Sequence, residues 1–129
     1  MNLFFVMTGK NGEGERFLRD VSPLVSRDDL EVFHDVASFA QRLRKPRDPF
    51  PALLLLGPSH EDLKRVASLK DIIKDARILL VLGDQGEETI TLAHKALPTY
   101  ISYLDNGTSG VVAVLKQLMR DSRAKQAEK

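Results

Sequence analysis

Cysteine is missing from all 129 positions. That absence removes disulfides, thiolate nucleophiles, phosphocysteine chemistry and every cysteine-based metal site together. Long apolar runs are missing too, since nothing approaches the roughly 20 residues needed to span a bilayer. The amino-terminal run Leu3-Phe4-Phe5-Val6-Met7 is too short, and has no basic leader, to act as a secretory signal. The chain therefore reads as soluble and cytoplasmic. Charge of one sign is lacking as well: nineteen basic and eighteen acidic side chains leave a formal net charge of +1. No whole-molecule field attracts nucleic acid or an anionic membrane. The three histidines, His34, His60 and His94, have no spacing that gathers a metal ion, so no metal or other cofactor is expected. His34 reads as an edge-strand residue and the other two as solvated helix residues. Ser59 stands in Gly57-Pro58-Ser59-His60 without the G-x-S-x-G elbow of a nucleophilic serine, and a helix cap explains it better.

What remains is ordinary globular material, 43% hydrophobic and 29% charged. A chain of this length suits one domain with a real core. Five apolar runs alternate with five amphipathic segments, the pattern of βα units in a parallel sheet. The strands are expected at Leu3–Met7, Leu30–His34, Ala52–Leu56, Ile78–Leu82 and Tyr100–Leu104. Helical spacing places Phe17, Leu18, Val21 and Leu24 on one face of the first helix, and Val36, Phe39, Ala40 and Leu43 on one face of the second. Leu63, Val66, Leu69 and Ile73 do the same in the third. Ile90, Ala93 and Leu97 are expected to face inward from the fourth, and Val111, Val112, Leu115, Leu118 and Met119 from the fifth. The domain is expected over residues 1–119, with 120–129 as a polar tail or linker that frays.

Strand composition predicts strand order. The first, third and fourth runs are apolar throughout and belong in the centre. Glu31 and His34 in the second and Ser102 in the fifth admit polar atoms, as edges do. With right-handed crossovers the order is 2-1-3-4-5, a doubly wound, flavodoxin-like, three-layer α/β/α fold.

In such sheets, chemistry gathers where the carboxyl ends of the strands meet the following loops. The loop Thr8-Gly9-Lys10-Asn11-Gly12-Glu13-Gly14 follows a strand and opens a helix, a setting that can cradle phosphate. Thr8, Gly9, Gly12 and Gly14 are its candidate anion-binding residues, and a nucleotide or flavin is the small-molecule alternative. The glycine spacing matches neither the P-loop nor the dinucleotide fingerprint. Glu13 and Glu15 would repel an anion, and an ordinary turn is favoured. Asp35, Asp84 and Asp105 also follow strands, but two of them at most can meet, and capping or turn roles are favoured over a cation site. The basic run Arg42 to Arg47 reads as a solvated helix end, with no aromatic platform for single-stranded nucleic acid.

The length, the five βα units and the strand order resemble the receiver domain of bacterial response regulators. The most similar local pieces are Val36-Ala37-Ser38-Phe39-Ala40-Gln41-Arg42-Leu43 and Pro51-Ala52-Leu53-Leu54-Leu55-Leu56. The resemblance implies a phosphoacceptor aspartate after the third strand and magnesium held by acids after the first. Magnesium requires oxygen ligands in near-octahedral array. In this sequence Gly57 occupies the acceptor position and Thr8 follows the first strand. Leu82 or Gly83 stands where the family uses Ser or Thr, and Tyr103 or Leu104 where it uses Lys. Thr8, Gly57, Gly83 and Tyr103 thus outline a degenerate phosphorylation pocket. The resemblance implies a non-enzymatic signalling module, a pseudo-receiver acting through a protein partner or a homodimer. Leu97, Tyr100 and Tyr103 are its candidate partner face, weighed against a plain core role for the same residues.

Overall fold

The computed structural model describes residues 3–8, 13–44, 52–69, 71–73 and 76–127. Five strands form one parallel sheet: β1 (Leu3–Met7), β2 (Leu30–Phe33), β3 (Ala52–Leu56), β4 (Arg77–Leu82) and β5 (Tyr100–Tyr103). Their order is β2-β1-β3-β4-β5, as strand composition predicts. Five helices connect and cover them: α1 (Glu13–Val21), α2 (Val36–Arg42), α3 (His60–Ser68), α4 (Glu87–Lys95) and α5 (Ser109–Ala127). The flavodoxin-like α/β arrangement is therefore present. β2 ends one residue short of His34, which is exposed in the turn beyond it.

The uninterrupted apolar strands produce two cores, because alternate side chains of a strand point to opposite faces. On one face Phe4, Val6, Leu53, Leu55, Leu80 and Leu82 meet α2, α3 and α4. On the other, Leu3, Phe5, Leu54, Leu56, Leu79 and Val81 meet α1 and α5. Phe4, Phe33 and Phe39 pack edge to face, with ring centroids 5.6–6.0 Å apart. Arg42, expected in a solvated patch, turns inward. Its guanidinium lies 5.5 Å from the Phe4 ring centroid, and its Nε donates to Glu31 Oε1 at 2.8 Å. Its Nη1 is buried with no hydrogen-bond partner. Arg44 is exposed, and residues 45–47 lie outside the described residues.

Two helices differ from the pattern expected of them. The buried face of α4 is Thr89, Leu92 and Ala93, continued by Ala96, while Leu97 is 70% exposed. Threonine and alanine give little hydrophobic contrast, so the stripe is shifted by one position from the Ile90-Ala93-Leu97 reading. Leu97 follows the helix C-cap with φ +55°. That is the left-handed position that usually carries glycine, and a leucine there costs roughly 1–2 kcal/mol. Its N–H donates to the His94 carbonyl at 3.1 Å. The second bond of the usual helix stop cannot form, because the next residue is Pro98 and has no N–H. The other difference is α5, which runs unbroken to Ala127 across the expected boundary at residue 120.

Candidate functional site

The carboxyl ends of β1, β3 and β4 converge because these strands are central neighbours in register, Met7 beside Leu56 and Leu56 beside Val81. The residues just beyond them, Thr8, Gly57 and Gly83, form the place where a doubly wound sheet carries its chemistry. Thr8 is held there by its backbone N–H, which donates to the Leu56 carbonyl at 3.3 Å. Its hydroxyl lies 3.0 Å from the same carbonyl and 2.8 Å from that of Gly57, so one proton is shared between two acceptors. Gly57 has φ +59°, a left-handed conformation suited to glycine, and its N–H donates to the Val81 carbonyl at 2.8 Å. A Cβ added at Gly57 would sit 3.8 Å from Leu104 Cδ1, and one at Gly83 would sit 3.9 Å from the same atom. Leu104 therefore covers both strand ends.

Of the four residues outlining the expected pocket, Thr8 and Gly57 are hydrogen-bonded, and Gly83 joins them through Leu104. Tyr103 does not belong with them. It packs with the α2, α3 and α4 layer, whereas Leu104 packs with the α1 and α5 layer. β5 ends at Tyr103, and Leu104 opens a short 3-10 turn, Leu104–Asn106. Of the two residues weighed for this position, Tyr103 is the last of β5 and Leu104 lies beyond it, over the strand ends. Period-two alternation from the buried Ser102 would have pointed to it.

The polar groups around the site are engaged in holding the fold. Asp35 caps α2, accepting from Ser38 N–H at 2.6 Å. The Ser38 backbone N–H, then its side chain, hold the Asp35 carboxyl below the usual carboxylate range. Ser59 caps α3 in a reciprocal box: its hydroxyl accepts from Asp62 N–H at 3.1 Å, and Asp62 Oδ2 accepts from Ser59 N–H at 3.0 Å. His60 is half-buried rather than solvated, with Nε2 2.8 Å from Thr89 Oγ1, which ties α3 to α4. Thr108 begins α5 through its carbonyl, but its hydroxyl donates to Asp20 Oδ2 at 2.5 Å. Asp84 and Asp105 are exposed. Among the described residues no three His, Asp or Glu side chains are grouped to hold a metal ion.

In the candidate anion loop, Thr8 commits its hydroxyl to carbonyl oxygens. Gly14 lies within α1 against β1, where an added Cβ would come 2.7 Å from Met7 Sδ, the end of a flexible side chain that could shift. Gly9 and Gly12 lie outside the described residues. On the candidate partner face, Tyr100 and Tyr103 are half-buried on opposite faces of the edge strand β5, and Leu97 projects beyond α4. No described helix is long and apolar enough to cross a membrane.

No protein-family model matches the sequence. No curated protein matches it either. Solved structures do. The response regulator DrrB of Thermotoga maritima, an OmpR/PhoB homologue, superposes with a TM-score of 0.70 at 11% identity over 95% of this chain. This chain spans only 54% of that regulator's length. A response regulator of Burkholderia pseudomallei, solved with a phosphorylated aspartic acid and a calcium ion, gives 0.68 at 18% identity, covering 98% of this chain and 74% of its own. A pilus assembly-related protein of the same organism gives 0.68 at 19% identity, covering 91% of this chain and 88% of its own. At these identities the likeness is one of architecture: the chain has the fold of response-regulator receiver domains.

Proposed function

We propose that the chain is a degenerate receiver, a non-enzymatic signal-transduction module that works through a protein partner or a homodimer without aspartyl phosphorylation. The observation that carries this reading is the closure at the end of β3. A phosphoacceptor site needs a carboxylate nucleophile and free oxygen lone pairs for a cation. Here the position holds a left-handed glycine, and the adjacent carbonyls accept the Thr8 hydroxyl. The Burkholderia regulator carries a phosphorylated aspartic acid, and this chain has no acid at the end of β1 or β3 with which to do likewise. Leu97, Tyr100 and Tyr103, at and beside the β5 edge, are the residues we assign to the partner surface. The phosphate-loop reading is less favoured because the Thr8 hydroxyl is already engaged with carbonyl oxygens. The test is incubation with acetyl phosphate and magnesium followed by intact mass spectrometry. The expected mass is unchanged, and an acid-labile phosphoryl adduct would overturn the proposal.

A further inference from the structure

Around β4 and α4 the two ends of the sheet differ in charge and in exposed apolar surface, while the amino end beside β2 carries the exposed acid Asp28. At the carboxyl end, the turn after β4 and the first turn of α4 present Asp84, Glu87 and Glu88, all exposed, beside the strand ends of Gly57 and Gly83 with Leu104 over them. At the amino end, the last turn of α4 carries Lys95 and the start of β4 carries Arg77, both exposed. Asp71 is the exposed acid among the described residues of the connection leading into β4. The same end carries the two most exposed large apolar side chains described, Leu97 at 70% and Ile72 at 54%. Acids at a helix start and bases at its end complement the helix dipole, and alone they imply nothing more. Leu97 is different. Its left-handed backbone makes leucine unfavourable there, and at 70% exposure its side chain gains little from burial within the monomer.

We infer that the chain self-associates head to tail, the amino end of β4 in one copy, where Leu97, Ile72, Arg77 and Lys95 are exposed, docking on the acidic carboxyl end of β4 in the next. The occupant is a second copy because the complementary surface lies on this same chain. Arg77 and Lys95 meet Asp84, Glu87 and Glu88, while Leu97 comes to lie on the glycine-lined strand ends beside Leu104. The contact is heterologous, so it leaves one free end of each kind and extends to a ring or a filament. It goes beyond the degenerate-receiver reading and does not depend on it.

Sedimentation equilibrium of the full chain tests this. The average mass should rise with protein concentration at low salt and fall toward monomer as salt shortens the range of the charges. The variants Glu87→Lys/Glu88→Lys and Arg77→Glu/Lys95→Glu should each be monomeric alone, and an equimolar mixture of the two should associate again. Leu97→Gly should raise the thermal midpoint yet weaken association about tenfold or more, the scale expected for removing one buried leucine. Circular dichroism confirms that each variant is folded. A native chain that stays monomeric at every concentration, a mixture that fails to associate, or a dimer that survives both reversals overturns the inference. A monomer that still captures no phosphoryl group removes head-to-tail stacking and leaves the degenerate-receiver reading standing.

Discussion

Gly57 is set by its backbone as well as by its lack of a side chain, because its φ is left-handed and its N–H is committed to Val81. Replacing it with aspartate therefore asks a non-glycine residue to adopt φ +59°, at a cost of roughly 1–2 kcal/mol. Gly57→Asp is expected to lower stability by about that amount in urea denaturation and to remain unlabelled by acetyl phosphate. Labelling would show that the loop readily reopens. The sequence shows the glycine plainly, but not its conformation, since φ at a glycine depends on tertiary contacts. Asp35 makes a second residue-scale prediction. Its carboxyl is held below the ordinary range near pH 3.9 by Ser38, so its capping contribution is full above that pH. The contribution is lost as pH falls through the lowered folded value, because protonation then removes the acceptor. Asp35→Asn keeps an acceptor without a titration, so its stability should fall less steeply than the native chain's between pH 5 and about pH 2. Identical acid profiles would contradict the assignment.

At the scale of elements, strands were easier to read than helix faces. β1, β3 and, from Ile78 onward, β4 are uninterrupted apolar runs, and a central place in the sheet buries both of their faces. Ser59, three residues before Asp62, announced the start of α3, and both halves of the box are present. Ser59→Ala should lower stability by about 1 kcal/mol, with the amide protection of Glu61 to Leu63 reduced first in hydrogen exchange. α4 was misread because Thr89 is a buried polar residue whose hydroxyl is satisfied by His60, a pairing across 29 positions that no local pattern reveals. Thr89→Val keeps the shape but leaves His60 Nε2 without that partner, at a cost of about 1 kcal/mol. A larger loss would mean that the link also orients α4 against α3.

For the whole molecule, stability resides in two apolar layers rather than in the site. Phe39 joins α2 to β1 and β2 through Phe4 and Phe33, and it is fully buried. Phe39→Ala should cost about 3–5 kcal/mol, a large part of the 5–15 kcal/mol typical of a domain. Unfolding midpoints in urea would measure it. The same comparison explains why the fold was legible when the site was not: many side chains repeat the message of the layers, whereas Thr8, Gly57 and Leu104 each carry theirs alone. The Thr8 hydroxyl has one more consequence. Its proton is shared between the Leu56 and Gly57 carbonyl oxygens, which ties the end of β1 to the turn that follows β3. In the proposed degenerate receiver, a carboxylate placed at position 57 would therefore meet the Thr8 hydroxyl, and one placed at position 8 would leave a left-handed glycine at position 57.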